Sequence, residues 1–135
     1  MKFKFLEHTA DIKFQAWGKN ISELFENSAL AAKEAICGKT KIQEKEKIKI
    51  AAKGKDYEAM LYRFLEEILY LLDAENFILS KVKEIKISGF GLKAVLIGDK
   101  TKNYKFTNSV KAVTYSEMFI KKQKGKWISQ VVLDV

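Results

Sequence analysis

The stretch Asp56-Tyr57-Glu58-Ala59-Met60-Leu61-Tyr62-Arg63-Phe64-Leu65-Glu66-Glu67-Ile68-Leu69-Tyr70-Leu71-Leu72-Asp73-Ala74 decides the class of fold. Met60, Leu61, Phe64, Leu65, Ile68, Leu69, Leu71 and Leu72 recur at the i, i+3, i+4 spacing that winds apolar side chains into one broad stripe of a helix. Arg63, Glu66, Glu67 and Asp73 are left for water, and Asp56 has the side chain of an N-cap. The spacing predicts a helix over Tyr57–Ala74. A stripe this wide requires a sheet to cover it, with the helix at the centre of the core.

Strand signals on either side surround a second helix. Phe3 and Phe5, then Ile12, Phe14, Ala16 and Trp17, predict two short strands flanking Glu7–Asp11. Asn20 followed by Glu23 reads as a capping box. Ile21, Leu24, Phe25, Ala29, Ala32 and Ile36 continue as a helix that Gly38 stops. A strand over Lys45–Ala52 alternates Ile48 and Ile50 with lysines. Val82–Ile87 and Leu92–Ile97 flank the hairpin connection Ser88-Gly89-Phe90-Gly91. Gly98–Asn103 reads as an exposed polar loop, Val110–Ile120 as one long or bent strand, Lys121–Lys126 as a basic turn, and Trp127–Leu133 as a final strand. The order β-β-α-β-α-β-β-β-β predicts an α+β fold: one domain over residues 1–135, with two helices packed on a mixed, mostly antiparallel sheet.

Composition narrows the chemistry. A chain of 135 residues with 47% apolar and 31% charged residues builds its own core. Cys37 is the sole cysteine, which rules out an intramolecular disulfide or a cysteine-rich zinc site and suits a small buried residue at a helix end. No run approaches the ~18 apolar residues of a membrane span, and no secretory leader precedes the first strand, so the expected location is the cytoplasm. The net charge of +8 is lopsided: residues 1–80 hold 13 Lys/Arg and 13 Asp/Glu, whereas residues 81–135 hold 12 Lys and 4 Asp/Glu. Such a half suits a polyanionic partner, although lysines alternating with apolar residues equally describe the wet face of strands.

Several reaction classes lack their residues. One histidine and one cysteine form no nucleophile–base–orienter set. Gly89-Phe90-Gly91 precedes no helix, and no phosphate-binding glycine loop occurs. Tyr104, Phe106 and Tyr115 do not follow the base-stacking pattern of RNA-binding sheets. What remains is a set of oxyanions: Asp11 in the one segment with a histidine, and Asp134 beside the terminal carboxylate of Val135. Asp in a turn more often bonds its own backbone than a metal, and an acidic chain end is more often merely solvated. If the two ends meet, however, three oxyanions converge, and their repulsion calls for a hard divalent cation.

Glu7-His8-Thr9-Ala10-Asp11-Ile12, Ala16-Trp17-Gly18, Leu61–Leu71, Val110-Lys111-Ala112-Val113-Thr114-Tyr115 and the terminal Asp134-Val135, in this order and spacing, resemble the archease family over essentially the whole chain. The resemblance implies an accessory protein rather than an enzyme. It would activate the GTP-dependent tRNA-splicing RNA ligase, promoting guanylylation of that enzyme's active-site histidine and multiple turnover, and broadening its nucleotide use. It also implies a divalent cation, calcium or another hard ion, on Asp11, Asp134 and Val135, with His8 behind them. The partner expected is the ligase, with GTP and RNA met only through it, and with no membrane involved. Lys100, Lys102, Lys105 and the turn containing Lys122 and Lys124 are expected to face that assembly. Two departures from the family pattern stand out: Gly98–Lys105 is basic and lacks the usual acids and histidine, and Ser116 stands where a histidine is usual. The rival readings are a general RNA-binding or RNA-chaperone domain driven by the lysines, and a metal-dependent phosphate hydrolase with His8 as its base.

Overall fold

A computed structural model describing all 135 residues places seven strands and two helices in the expected order. The strands are β1 (Phe3–Leu6), β2 (Ile12–Gly18), β3 (Glu46–Lys53), β4 (Phe77–Ser88), β5 (Gly91–Lys100), β6 (Ala112–Gln123) and β7 (Lys126–Asp134). Helix α1 spans Ile21–Cys37 and α2 spans Tyr57–Ala74. The α+β architecture stands, but the strands divide into two sheets, ordered β1-β2-β7-β6 and β3-β5-β4, and every pairing is antiparallel. β3 and β4, joined through α2, run parallel to each other, but β5 lies between them, so no parallel neighbours meet.

The helices are packed between the sheets. α1 meets β1, β2 and β7 on one side and β4 on the other; α2 meets β6 on one side and β3 and β4 on the other. Two-sided packing explains why α1 buries Asn27, Ser28, Ala29, Ala31 and Ala32, a set that runs round the helix rather than along one stripe. Alanines let both sheets approach it closely. Phe25 and Phe64 join the helices with ring centroids 5.7 Å apart, and one cluster of 30 buried residues spans both sheets. Neither helix is long and apolar enough to cross a membrane.

The predicted caps form. Asn20 accepts the Glu23 N–H at 2.8 Å, and Glu23 reaches back to the N–H of Lys19, one residue earlier than a capping box requires. Asp56 accepts the Ala59 N–H at 2.7 Å, and the Gly38 N–H closes α1 on the Glu34 carbonyl. Cys37 is the last residue of α1 and is buried, which raises its thiol pKa.

Two segments differ from the sequence reading for one reason. β4 begins at Phe77 rather than Val82, because Phe77, Ile78 and Leu79 are all buried and so lack the alternation of a half-exposed strand. Leu79 then pairs with Gly98, Ile78 with Asp99 and Phe77 with Lys100, which makes the expected loop at Gly98–Asn103 the end of β5 followed by one 3-10 turn. A Cβ at position 98 would strike the Ile78 carbonyl, so glycine is required. Asp99 is only 3% exposed. It accepts the Tyr104 hydroxyl at 2.7 Å, the Lys100 N–H at 2.7 Å and the Asn103 amide at 3.4 Å. The Tyr104 bond chiefly holds the Asp99 pKa below the ordinary aspartate value, with the Lys100 and Asn103 donors adding to it.

Leu65 and Ile68 are 1% and 3% exposed between the sheets. Truncating either to Ala should destabilise the protein by ~2–5 kcal/mol in denaturant titrations. Asp99 stabilises the fold only while ionised. Its contribution should be fully present above the ordinary aspartate value of 3.8 and be lost as the pH falls through its lowered folded value. Asp99→Asn should therefore be less stable than wild type at neutral pH and show a flatter acid limb in thermal melts.

Candidate functional site

The Glu7–Asp11 connection turns through a left-handed residue, Ala10 (φ 68°), and the Asp11 N–H donates to the Thr9 carbonyl at 2.8 Å. From there β2 runs antiparallel to β7, in register from Gly18↔Trp127 to Ile12↔Leu133. The next step along each strand is Asp11 on one side and Asp134 on the other. β6 holds the other flank of Asp134: Ala112 is its register partner, and the Lys111 N–H donates to its carbonyl at 2.7 Å. Val135 follows, half-buried and packed against the core. The head and tail of the chain therefore lie on neighbouring strands.

Electrostatics at these ends is one-sided. Asp11 and Asp134 take part in no ion pair. Lys13, the lysine nearest Asp11 along β2, is drawn to Glu117 at 3.1 Å instead. Like charges opposed on adjacent strands repel unless a cation lies between them. No three His, Cys, Asp or Glu side chains gather to hold a metal, so a centre here needs the terminal carboxylate of Val135 as its third donor. Such a set is all oxygen, and it fits a hard ion such as calcium rather than zinc or copper.

His8, three residues before Asp11, reaches across to β6. Its Nε2 lies 2.9 Å from Glu117 Oε2, which sets that nitrogen as the donor, while Nδ1 is buried without a partner. Glu117 sits in an irregular stretch of β6 between Thr114 and Phe119, with a left-handed backbone (φ 54°). The His8 bond, followed by Lys13, holds its carboxyl pKa below the usual range. Gln130 donates to the Glu117 carbonyl at 2.8 Å and accepts from Gln15 at 2.9 Å, completing the network across the sheet. Ser116, beside Glu117, is exposed and its N–H donates to Thr114 Oγ1 at 3.3 Å. Sequence reasoning did not single out Glu117. The only signal was the alternative of a bent strand over Val110–Ile120.

The lysines expected to share a partner-facing side are divided. Lys100, Lys102 and Lys105 lie where the two helices end: the Thr101 N–H bonds the Asn76 carbonyl after α2, the Thr107 N–H bonds the Ile36 carbonyl at the end of α1, and Asn108 lines one groove with Asp11. Lys100 is paired with Glu46 at 3.5 Å. Lys122 and Lys124 belong to the β6–β7 hairpin at the start of β7, with Lys122 5.8 Å from the Trp127 ring. That hairpin is ~27 Å along the strand from Asp134 at ~3.4 Å per residue.

Residues 3–135 match the model of the Archease protein family (MTH1598/TM1083). The chain is 36% identical over 140 residues to the protein archease of Methanosarcina mazei, covering 99% of this chain and 96% of that protein. It is 39% identical to the protein archease of Pyrococcus furiosus, covering 96% and 95%. The solution structure of protein 1598 of Methanobacterium thermoautotrophicum superposes with a TM-score of 0.84 at 29% identity, over 98% of both chains. The crystal structure of a Thermotoga maritima protein described as "an archease, possible chaperone" shares the fold, with a TM-score of 0.66 at 21% identity over 98% of this chain and 96% of that one. With its full-length family match and these relatives, the chain belongs to the archease family.

Proposed function

We propose that this archease is an accessory factor of the GTP-dependent tRNA-splicing RNA ligase, acting in the cytoplasm, with no reaction of its own. It promotes guanylylation of the ligase's active-site histidine and multiple turnover, and it broadens the nucleotides accepted. Asp11, Asp134 and the Val135 carboxylate hold a divalent cation, calcium or another hard ion. The observation that carries this reading is the β2–β7 register, whose next step beyond Ile12↔Leu133 puts Asp11 beside Asp134, with neither carboxylate in an ion pair. When bound, such an ion supplies positive charge and open positions to phosphate oxygens.

The chain's own residues prepare that edge. Lys111 and β6 fix the Asp134 backbone, while the His8–Glu117 bond fixes the loop that carries Asp11. Lys13 is held by Glu117, so it does not neutralise the carboxylates. Asp99 stands in the region where other family members are expected to carry an acidic loop, but Tyr104 encloses it, so it offers no free carboxylate.

Asp11→Asn and Asp134→Asn remove charge with little change of shape. Each should reduce stimulation of ligase guanylylation at least ~tenfold, the scale on which loss of metal affinity is felt. Their melting temperatures should stay at or above wild type, because a repulsion has been relieved. Covalent guanylate on purified ligase is the readout, and wild-type stimulation by both variants would refute the reading. The lysines give a positional test. Lys102→Gln with Lys105→Gln should slow association with the ligase at low salt, an effect that fades as salt rises. Lys122→Gln with Lys124→Gln, at the far end of β7, should leave the association rate unchanged in stopped-flow mixing.

A further inference from the structure

The outer face of the β3-β5-β4 sheet takes no part in the Asp11–Asp134 edge. The register sets Ile48, Leu96 and Val82 side by side, then Ile50, Ala94 and Ile85, then Ala52, Leu92 and Ile87, and these rows turn inward. Alternation sends the intervening residues outward, and they are mostly lysines on β3 and β4, with Lys93 beside Val95 on β5. Three carboxylates answer the basic groups of this sheet: Glu44 pairs with Lys81 at 3.5 Å, Glu84 with Lys86 at 3.3 Å, and Glu46 with Lys100 at 3.5 Å. Lys47, Lys49, Lys53, Lys83 and Lys93 have no carboxylate partner. Lys83 lies so close to Lys47 that its ammonium is easier to deprotonate than an ordinary lysine. The charge imbalance seen along the sequence understates this face, since Lys47, Lys49 and Lys53 belong to the neutral portion of the chain.

We infer that this sheet face is a docking surface for the phosphodiester backbone of single-stranded RNA. On β3, Lys47 and Lys49 are ~7 Å apart and Lys53 follows ~14 Å further on, and adjacent strands lie ~5 Å apart, so the ammoniums form a two-dimensional array. A linear polyanion with a charge on every repeat can engage all five at once. Lysine is a point charge without the fork that reads base edges or paired oxygens, and no aromatic side chain lies on the face to stack bases. Binding is therefore independent of sequence. A lipid surface fits poorly: of the large apolar residues on this side, Ile97 is only 7% exposed and Val95 is half-buried, so no bulky apolar side chain stands out to enter a bilayer. Simple solubility accounts for mixed charge, as on the outer face of the other sheet, where Lys13 meets Glu117 and Gln15 meets Gln130. It does not account for mutually repelling ammoniums left unpaired.

The test uses the full chain alone, without ligase, so its outcome is independent of the accessory role. Fluorescence anisotropy with a labelled oligouridylate of about 15 nucleotides, within the range one small domain covers, reads affinity against salt. Wild type should bind. The triple variant Lys49→Gln/Lys83→Gln/Lys93→Gln should weaken binding at least ~tenfold and flatten the log–log salt dependence by about 2, at ~0.7 for each phosphate no longer neutralised. Lys49→Arg/Lys83→Arg/Lys93→Arg keeps the charge and should retain the affinity, which separates charge from folding. The hairpin variant Lys122→Gln/Lys124→Gln/Lys126→Gln should bind as wild type does. The inference is overturned if wild type fails to bind, if the triple glutamine variant binds as tightly as wild type, or if the hairpin variant loses as much. It is also overturned if polyglutamate at equal charge displaces the RNA, since the face would then serve an acidic polypeptide.

Discussion

The interaction on which the rest depends is the placing of β7 between β2 and β6. β7 is an inner strand of its sheet, paired with β2 from Trp127 to Leu133 and with β6 on both sides of the irregularity opposite Val131. Val131, Val132 and Leu133 are fully buried. A terminal segment normally frays, because nothing holds it. Here, release of the C-terminus would unpair two ladders and expose three apolar side chains. Asp134, at the end of both ladders, is therefore held by the same burial that holds the core. Because β2 follows directly from the β1–β2 loop, the same ladder fixes Asp11 at the same edge.

The fold could be read from the sequence wherever one face of an element meets water. The α2 stripe, the caps at Asn20 and Asp56 and the hairpin at Gly89-Phe90 fall in this class, because periodicity and turn chemistry act locally. Reading failed where burial was two-sided. Phe77-Ile78-Leu79 has no period to betray a strand, and Asp99 looks like a solvated loop acid until Tyr104, Gln43 and the start of β4 are seen around it. The division into two sheets was also illegible, since it depends on helices that present apolar surface in two directions. At the candidate site, Asp11, Asp134 and Val135 were accessible to a sequence argument through the chain ends. Glu117 was not, because its role arises from an irregularity in a strand 109 residues away from His8.

Charge shows the same contrast. Counting along the chain places the positive excess after residue 80, whereas the folded molecule gathers unpaired lysines from both portions on one sheet. Strand pairing causes this, since β3 comes from the neutral portion, whereas β5 and the lysine-bearing part of β4 come from the basic one. The carboxylate-bearing edge and the basic sheet face belong to different sheets, with the two helices between them. A single molecule thus presents an anionic edge and a cationic plane that do not neutralise each other.

The backbone at the anionic edge carries its own strain. Four non-glycine residues have left-handed φ values: Ala10, Asn76, Glu117 and Lys124. Asn76 is a residue type that tolerates this conformation, and Lys124 lies with Gly125 in a two-residue hairpin turn that demands it. Ala10 and Glu117 have neither excuse, and each such residue costs ~1–3 kcal/mol unless its surroundings enforce it. Both flank one contact, the bond from His8, two residues before Ala10, to the Glu117 side chain. One strained loop is thus clipped to another, and neither can relax while the bond persists. The Lys13 ammonium closes on the second oxygen of the same carboxylate, so the clip is held from β2 as well. The loop leading into Asp11 is consequently set before anything binds, and a ligand at that edge meets carboxylates whose ordering has already been supplied by folding.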